Sequence, residues 1–283
     1  MIISNIIGGL GNQLFQYAIG RKLSIMKNIP LKLDITKINK NELREYLLFH
    51  YNIAAEIATK EEIFRYKKID LKGYNRIEKL FSKYGIKLIN KVYYEKREYE
   101  LDSKVFEFDD IYIQGYWQSY RYFSDIRELL INDLSLREPI GIENKNILEI
   151  IRNTNSVSIH IRRGDLNNKF FISMDYYRRA MNYANEKINN PIFFVFSDDI
   201  KWAKQNLFSK YNKFFVNIND GRFSPHLDLE LMRNCKHNII ANSTFSWWAA
   251  YLNKNKDKIV IVPKKWINGI KSNDLIPETW NKI

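Results

Sequence analysis

The sequence predicts an α/β fold built on parallel sheet. Short apolar strands alternate with helical stretches through the second half. The chain opens on a strand, a glycine-rich turn, a helix and a second strand, and polar clusters sit where predicted strands end. Strands separated by helices need right-handed crossovers, which give a parallel sheet covered on both faces and a doubly wound domain. The 283 residues suffice for two domains of ordinary size with a sizeable core.

The first strand is the apolar run 2–7, followed by Gly8-Gly9-Leu10-Gly11 and a helix over 12–27. Pro30 and the run 31–34 give a second strand. Residues 40–108, rich in Lys, Glu and Tyr, show weak helical periodicity and few strong strands. A strand follows over 111–114 and an amphipathic helix over 120–131. Residues 136–155, with Pro139 and Gly141, read as the connection between a first domain (1–150) and a second (151–283). The second half predicts strands over 157–161, 192–196, 214–216, 238–241 and 259–262. Helices over 175–188, 200–208, 228–235 and 244–253 lie between them.

Composition excludes several classes. Apolar residues make up 45% and charged residues 27%, which excludes a disordered chain. One cysteine, Cys235, excludes an internal disulfide framework and a cysteine-built metal site. No apolar run has the length of a membrane span, and the N-terminus lacks the basic start and cleavage site of a signal peptide. The expectation is a cytoplasmic protein. Its net charge of +13 suits nucleic acid, an anionic membrane face or phosphorylated ligands, although lysines scattered over a solvated surface give the same number. A nucleic-acid-binding protein is the rival of another class, but the aromatic residues fall mostly in apolar runs and favour core, so no nucleic acid is expected. Peripheral contact with the inner membrane face fits the charge.

Ligands of a doubly wound sheet bind at the carboxyl ends of its strands. Ser158-Ile159-His160-Ile161-Arg162-Arg163-Gly164-Asp165 places His160 and Arg162 on one strand face. An arginine there suits bidentate phosphate binding, and an Arg–Asp pair closing the strand explains the same residues. Ala241-Asn242-Ser243-Thr244-Phe245-Ser246 leads a strand into a helix. Its hydroxyls either cap that helix or join its amides and dipole in an anion site. Ser197-Asp198-Asp199 suits a ribose, a base edge or a metal as well as a helix N-cap, and Asp228 likewise begins a helix.

The opening turn, running into Gly11-Asn12-Gln13, is close to the dinucleotide fingerprint, but Leu14 stands at the third glycine position. A nicotinamide or flavin is therefore not expected, and the neutral side chains suit sugars and phosphates. Gly115-Tyr116-Trp117-Gln118-Ser119 reads equally as a sugar-binding surface and as a strand-to-helix corner. Asp-x-Asp is absent, and four histidines with one cysteine make a poor zinc site. No metal is expected, with arginine taking its place against a diphosphate.

Together these segments resemble the bacterial α-1,2-fucosyltransferases, a family 11-like group of glycosyltransferases. The opening Gly8-Gly9-Leu10-Gly11-Asn12-Gln13-Leu14-Phe15-Gln16-Tyr17-Ala18 is similar to theirs. His160 to Asp165 resembles the basic motif they share with α-1,6- and protein O-fucosyltransferases. Phe194 to Asp199 and His237 to Trp248 resemble their second and third motifs, and Gly115 to Ser119 and Val262 to Trp266 fit in order. The resemblance implies a GT-B-type fold, two Rossmann-like domains facing a cleft, with an acceptor-side first domain and a GDP-fucose-binding second. The C-terminal tail would return to the first domain. It implies inverting, metal-independent transfer of L-fucose from GDP-L-fucose to the 2-hydroxyl of a galactose in a cell-surface glycan such as lipopolysaccharide. A related enzyme of different linkage is the alternative.

Carried over, Arg162 holds the β-phosphate and stabilises departing GDP, with His160 and Arg163 orienting the site. Asp165 is the nearest carboxylate, as base or as an arginine's partner. Ser243 and Thr244 complete the phosphate clamp, and Asp198 or Asp228 takes the ribose or guanine. Gly11, Asn12, Gln13, Ser197, Asn242 and Ser246 join the donor set, and Trp117 and Gln118 the acceptor set. The stretch 166–171 is shorter than the family pattern, and residues 40–108 match no strict pattern. Both border the acceptor in this reading.

Overall fold

The computed structural model describes residues 1–38, 44–67, 91–163, 172–219, 223–267 and 274–283. The chain forms two compact units: Met1–Phe49 with Ile53–Leu129, and His50–Asn52 with Leu130–Ile283.

The first unit holds β1 (Ile2–Asn5), β2 (Leu31–Asp34), β3 (Glu56–Ile57), β4 (Val92–Tyr94) and β5 (Ile111–Gln114), in the order β3-β2-β1-β5-β4. All pairings are parallel. The central β1 is buried at every residue, as a strand covered on both faces must be. α1 (Leu10–Lys27) follows β1, and α2 (Lys60–Tyr66) opens on a capping box between Thr59 and Glu62. β3, α2 and β4 lie in the stretch whose periodicity is weak. Each is too short to register a pattern, and tertiary contacts decide them.

The second unit holds β6 (Ser156–Ile161), β7 (Ile192–Ser197), β8 (Lys213–Phe215), β9 (His237–Ile239), β10 (Val260–Val262) and β11 (Asn281–Lys282). They run in the order β11-β10-β9-β6-β7-β8, again all parallel. Its helices are α4 (Ile142–Arg152), α5 (Met174–Lys187), α6 (Ile200–Asn206), α7 (Pro225–Asn234) and α8 (Thr244–Leu252), after α3 (Arg127–Asp133) at the boundary. Val157, Ile159, Phe193 and Val195 pack against Tyr176, Tyr177, Ala180 and Met181 of α5. Trp247 and Trp248 are core, as expected. Both are fully buried, and Trp247 stacks on Tyr251 at 4.7 Å while its indole N–H donates to the Leu275 carbonyl at 2.8 Å. No described helix is long and apolar enough to cross a membrane.

The structure departs from the sequence reading in three places. The predicted helix over 120–131 is two 3₁₀ turns, Tyr120–Tyr122 and Ser124–Ile126, leading into α3. The second unit begins at Leu130, ahead of the expected boundary at 150. Leu130, Ile131 and Leu134 are buried, and the Arg233 guanidinium of α7 donates to the Leu134 carbonyl at 2.6 Å. The strap His50–Asn52 joins the same unit: Tyr51 bridges Leu136, and the His50 ring stacks on His226 at 3.5 Å. Burial, with His50 beside it, pushes His226 down to about 4 and keeps it neutral. Finally, the C-terminal tail adds an edge strand to the second sheet that the sequence did not predict. β11 pairs with β10, and the Ile283 amide donates to the Val262 carbonyl at 3.0 Å.

Candidate active site

In the second sheet β7 and β8 lie on one side of β6, and β9, β10 and β11 on the other. β6 and β9 are thus neighbours whose onward connections diverge, the switch point where doubly wound sheets open a crevice. Arg162 and Arg163 follow β6, and Asn242, Ser243 and Thr244 follow the strand containing β9. The Arg162 guanidinium donates to Ser243 Oγ at 3.4 Å. Ser243 is the N-cap of α8, yet its side chain makes no capping hydrogen bond. Its hydroxyl faces the arginine instead, so capping alone does not explain it.

His160, two residues before Arg162, is buried beside the Phe245 ring at 5.4 Å. Its carbonyl accepts from the Tyr177 hydroxyl at 3.1 Å, which pins the end of β6 to α5. The neighbouring strand β7 ends in Ser197-Asp198-Asp199. Asp198 Oδ1 accepts the Arg163 backbone N–H at 2.7 Å, and the Arg163 guanidinium lies 3.8 Å over the Trp202 ring. Asp199 caps α6 by accepting from the Trp202 N–H at 3.0 Å, so capping is its role. Ser197 Oγ accepts from the Asp199 amide at 3.0 Å. Trp202 is therefore a platform for Arg163. A cation–π contact at a partly exposed position contributes about 0.5–1 kcal/mol, so Trp202→Ala should lower activity by no more than about fivefold. Steady-state kinetics beside a melting curve would check this.

Beyond β8, Asn219 donates to Asp228 Oδ1 at 2.8 Å, and Asn219 and Asn144 exchange a pair of amide hydrogen bonds at 2.9 Å each. Asp228 is no N-cap: α7 is preceded by Ser224. Burial pushes its carboxyl up to about 6, against the Asn219 hydrogen bond that lowers it. The strand ends of β8, β7, β6 and β9, consecutive in the sheet, thus bring together most of the expected donor residues. Asp165 lies outside the described residues. Asn242 gives its amide to the Trp266 carbonyl at 3.2 Å. Ser246 is a correction: it is buried, and its hydroxyl turns back to the Ser243 carbonyl at 3.3 Å, so it supports α8.

The first unit has a switch point of its own, between β1 and β5. The turn after β1 needs glycine at Gly8, whose φ is +79° and where a Cβ would sit 2.7 Å from Asn12 Nδ2. Gln16 ties this turn to the loop after β5, accepting from the Ile7 amide at 2.9 Å and donating to the Gly115 carbonyl at 3.2 Å. Gln118 donates to Asn12 Oδ1 at 3.1 Å, so the expected acceptor residue and the expected donor residue are in contact. Gly11 is buried in the first turn of α1.

Two of the expected site residues are buried here. Gln13 is fully buried, donates to the Gly8 and Glu45 carbonyls at 3.0 and 2.7 Å, and accepts from the Leu47 amide at 2.9 Å. With both amide hydrogens given to backbone carbonyls, it braces the turn. Trp117 is also fully buried, edge-on to Tyr122 at 5.5 Å, so its ring offers no sugar platform. The exposed ring of that motif is Tyr116, at 40%. Sequence reasoning did not separate the two because the choice is set by a left-handed backbone at Trp117, φ 57°. Asn219 and Glu95 were missed as well. Neither stands in a motif, and both act through residues distant in sequence.

Comparison with known proteins gives the family and the fold. The family model "Glycosyl transferase family 11" matches residues 1–283. The chain is 34% identical to an alpha-1,2-colitosyltransferase of Escherichia coli, covering 100% of this chain and 99% of that protein. It is also 34% identical to the O-antigen biosynthesis glycosyltransferase WbnK of Escherichia coli, covering 96% and 97%. Among solved structures, a variant of Arabidopsis thaliana FUT1 in complex with GDP has the same fold. The TM-score is 0.53 at 11% identity, over 99% of this chain and 75% of that one. With two parallel-sheet α/β units, polar residues gathered at their switch points and a family match along its whole length, the chain belongs to glycosyl transferase family 11.

Proposed function

We propose that the protein transfers L-fucose from GDP-L-fucose to the 2-hydroxyl of a galactose in a cell-surface glycan, with inversion and without a metal. The observation that carries the reading is the Arg162–Ser243 pair at the β6/β9 switch point. A diphosphate leaving group gathers negative charge as its bond to the sugar breaks. A guanidinium and the positive end of a helix are pre-placed groups for that charge. The second unit is then the donor side, with Arg162 on the β-phosphate, Arg163 and His160 orienting the site, Ser243 and Thr244 completing the clamp, and Asp228 or Asp198 on the ribose or guanine. The first unit is the acceptor side. The acceptor oxygen bonds to the anomeric carbon as GDP departs with the old bonding pair. Because the transition state is loose, the hydroxyl proton needs only weak assistance, from Asp165 or solvent. The O-antigen enzyme among the relatives supports a cell-surface acceptor, and the alpha-1,2 linkage in the other relative's name supports the 2-hydroxyl.

A second donor is favoured by one observation: that relative of 34% identity along the whole chain is named for colitose. Incubation of the enzyme with a β-galactoside and either GDP-L-fucose or GDP-colitose, in chelator, distinguishes the two by product mass. Fucosyl product at position 2 is expected. Colitosyl product alone would replace the donor, and no product from either would overturn the reading.

A further inference from the structure

Glu95 stands just past β4, in the stretch without a recognisable sequence pattern, and beside the turn after β5. Its Oε2 accepts the backbone N–H of Tyr116 at 2.7 Å and of Trp117 at 3.0 Å. Those two amides lead into an unusual backbone conformation: Trp117 is left-handed, with φ 57°, which a bulky residue holds only when its surroundings impose it. The turn is fitted to the carboxylate. A Cβ on Gly115 would run into the Glu95 side chain, so glycine is needed for the close approach. Left-handed backbone at Trp117 turns its ring into the core against Tyr122 and leaves Tyr116 exposed. One residue later, Gln118 reaches Asn12. Glu95 Oε1 is buried with no hydrogen-bond partner among the described residues. Burial also raises the carboxyl's pKa, with the two amides opposing it.

We propose that Glu95 is the positioning residue of the acceptor side: its carboxylate fixes the Gly115–Ser119 turn and so presents Tyr116 to the acceptor sugar, with Gln118 bracing the turn against Asn12. This rests on the reading of the first unit as the acceptor side. A purely structural glutamate would matter to the fold as a whole. A positioning one matters to the acceptor and leaves the donor untouched. Because one oxygen receives both amides, the Oε1 of a glutamine can replace it, and Glu95→Gln should keep the turn while Glu95→Ala releases it.

The test uses the full chain with GDP bound and N-acetyllactosamine titrated by NMR, beside hydrogen exchange at residues 116 and 117. Glu95→Ala should weaken galactoside binding at least tenfold and speed exchange at both amides, with the GDP affinity within twofold of wild type. Glu95→Gln should restore both readouts. Galactoside binding unchanged in Glu95→Ala overturns the proposal. So does equal loss of GDP and galactoside binding, and so does failure of Glu95→Gln to rescue. A wild-type chain that binds GDP and no galactoside overturns the acceptor reading instead, and the exchange rates then still judge whether Glu95 holds the turn.

Discussion

Arg162→Ala should lower transfer by about 10²–10³ while leaving the fold intact, because removing one pre-placed donor to a developing anion costs that much. Two features make Arg162 the residue to lose. It follows β6 at the switch point, and it faces Ser243 at the start of α8. The 3.4 Å bond to Ser243 is long and adds little to stability by itself, and a melting curve beside the kinetics separates lost catalysis from lost fold. Arg162→Lys keeps the charge and loses the planar fork, so it should recover only part of the rate. Ser243→Ala removes the partner but not the guanidinium, and its loss should be smaller than that of Arg162→Ala. A fully active Arg162→Ala enzyme would sink the assignment.

Asp228→Asn should stabilise the protein at neutral pH while weakening nucleotide binding. Burial raises this carboxyl from 3.8 to about 6. The native state therefore binds a proton more tightly than the unfolded chain does. Its contribution to stability is fully present below pH 3.8 and is lost as pH rises through about 6. Above pH 6 the carboxylate is a liability of about 2 kcal/mol, allowing for its residual access to water. Asparagine keeps the oxygen that accepts from Asn219 and carries no charge. Chemical denaturation should show Asp228→Asn the more stable above pH 6, with the gap closing towards pH 4. A buried carboxyl with a raised pKa in a polar cluster at strand ends is a candidate functional group. GDP affinity should fall about tenfold, the cost of one charge-assisted hydrogen bond. A variant that is more stable and binds GDP as well as wild type would remove Asp228 from the donor set.

What the sequence disclosed and what it hid divide along physical lines. The strands of the second unit are apolar and separated by helices of clear period, so β6, β7 and α5 stand nearly where expected. Arg162 and Ser243 could be singled out because each follows a strand directly. Their contact could not, since strand order comes from pairing between distant segments and β9 joins β6 on the far side from β7. Trp117 and Tyr116 are adjacent aromatics, and only a backbone angle decides which one faces water. Gln13 has the same chemistry as Asn12, and its burial follows from the segment that closes over it. Glu95 follows a three-residue strand in a lysine- and tyrosine-rich stretch, and its role exists only once β4 lies beside β5. The boundary at 130 is hidden for a similar reason: the apolar face of α3 says that it packs, not which unit it packs on.

The most direct measurement of the central claim is a thermal-shift titration with GDP and UDP in excess chelator. A ligand at about 100 times its Kd adds roughly 2.7 kcal/mol to the native state, which raises Tm by several degrees. Stabilisation by GDP and not by UDP, undiminished by the chelator and lost in Arg162→Ala, is the predicted result. No shift with saturating GDP, with or without magnesium, would contradict a guanine-diphosphate site at the ends of β6 and β9.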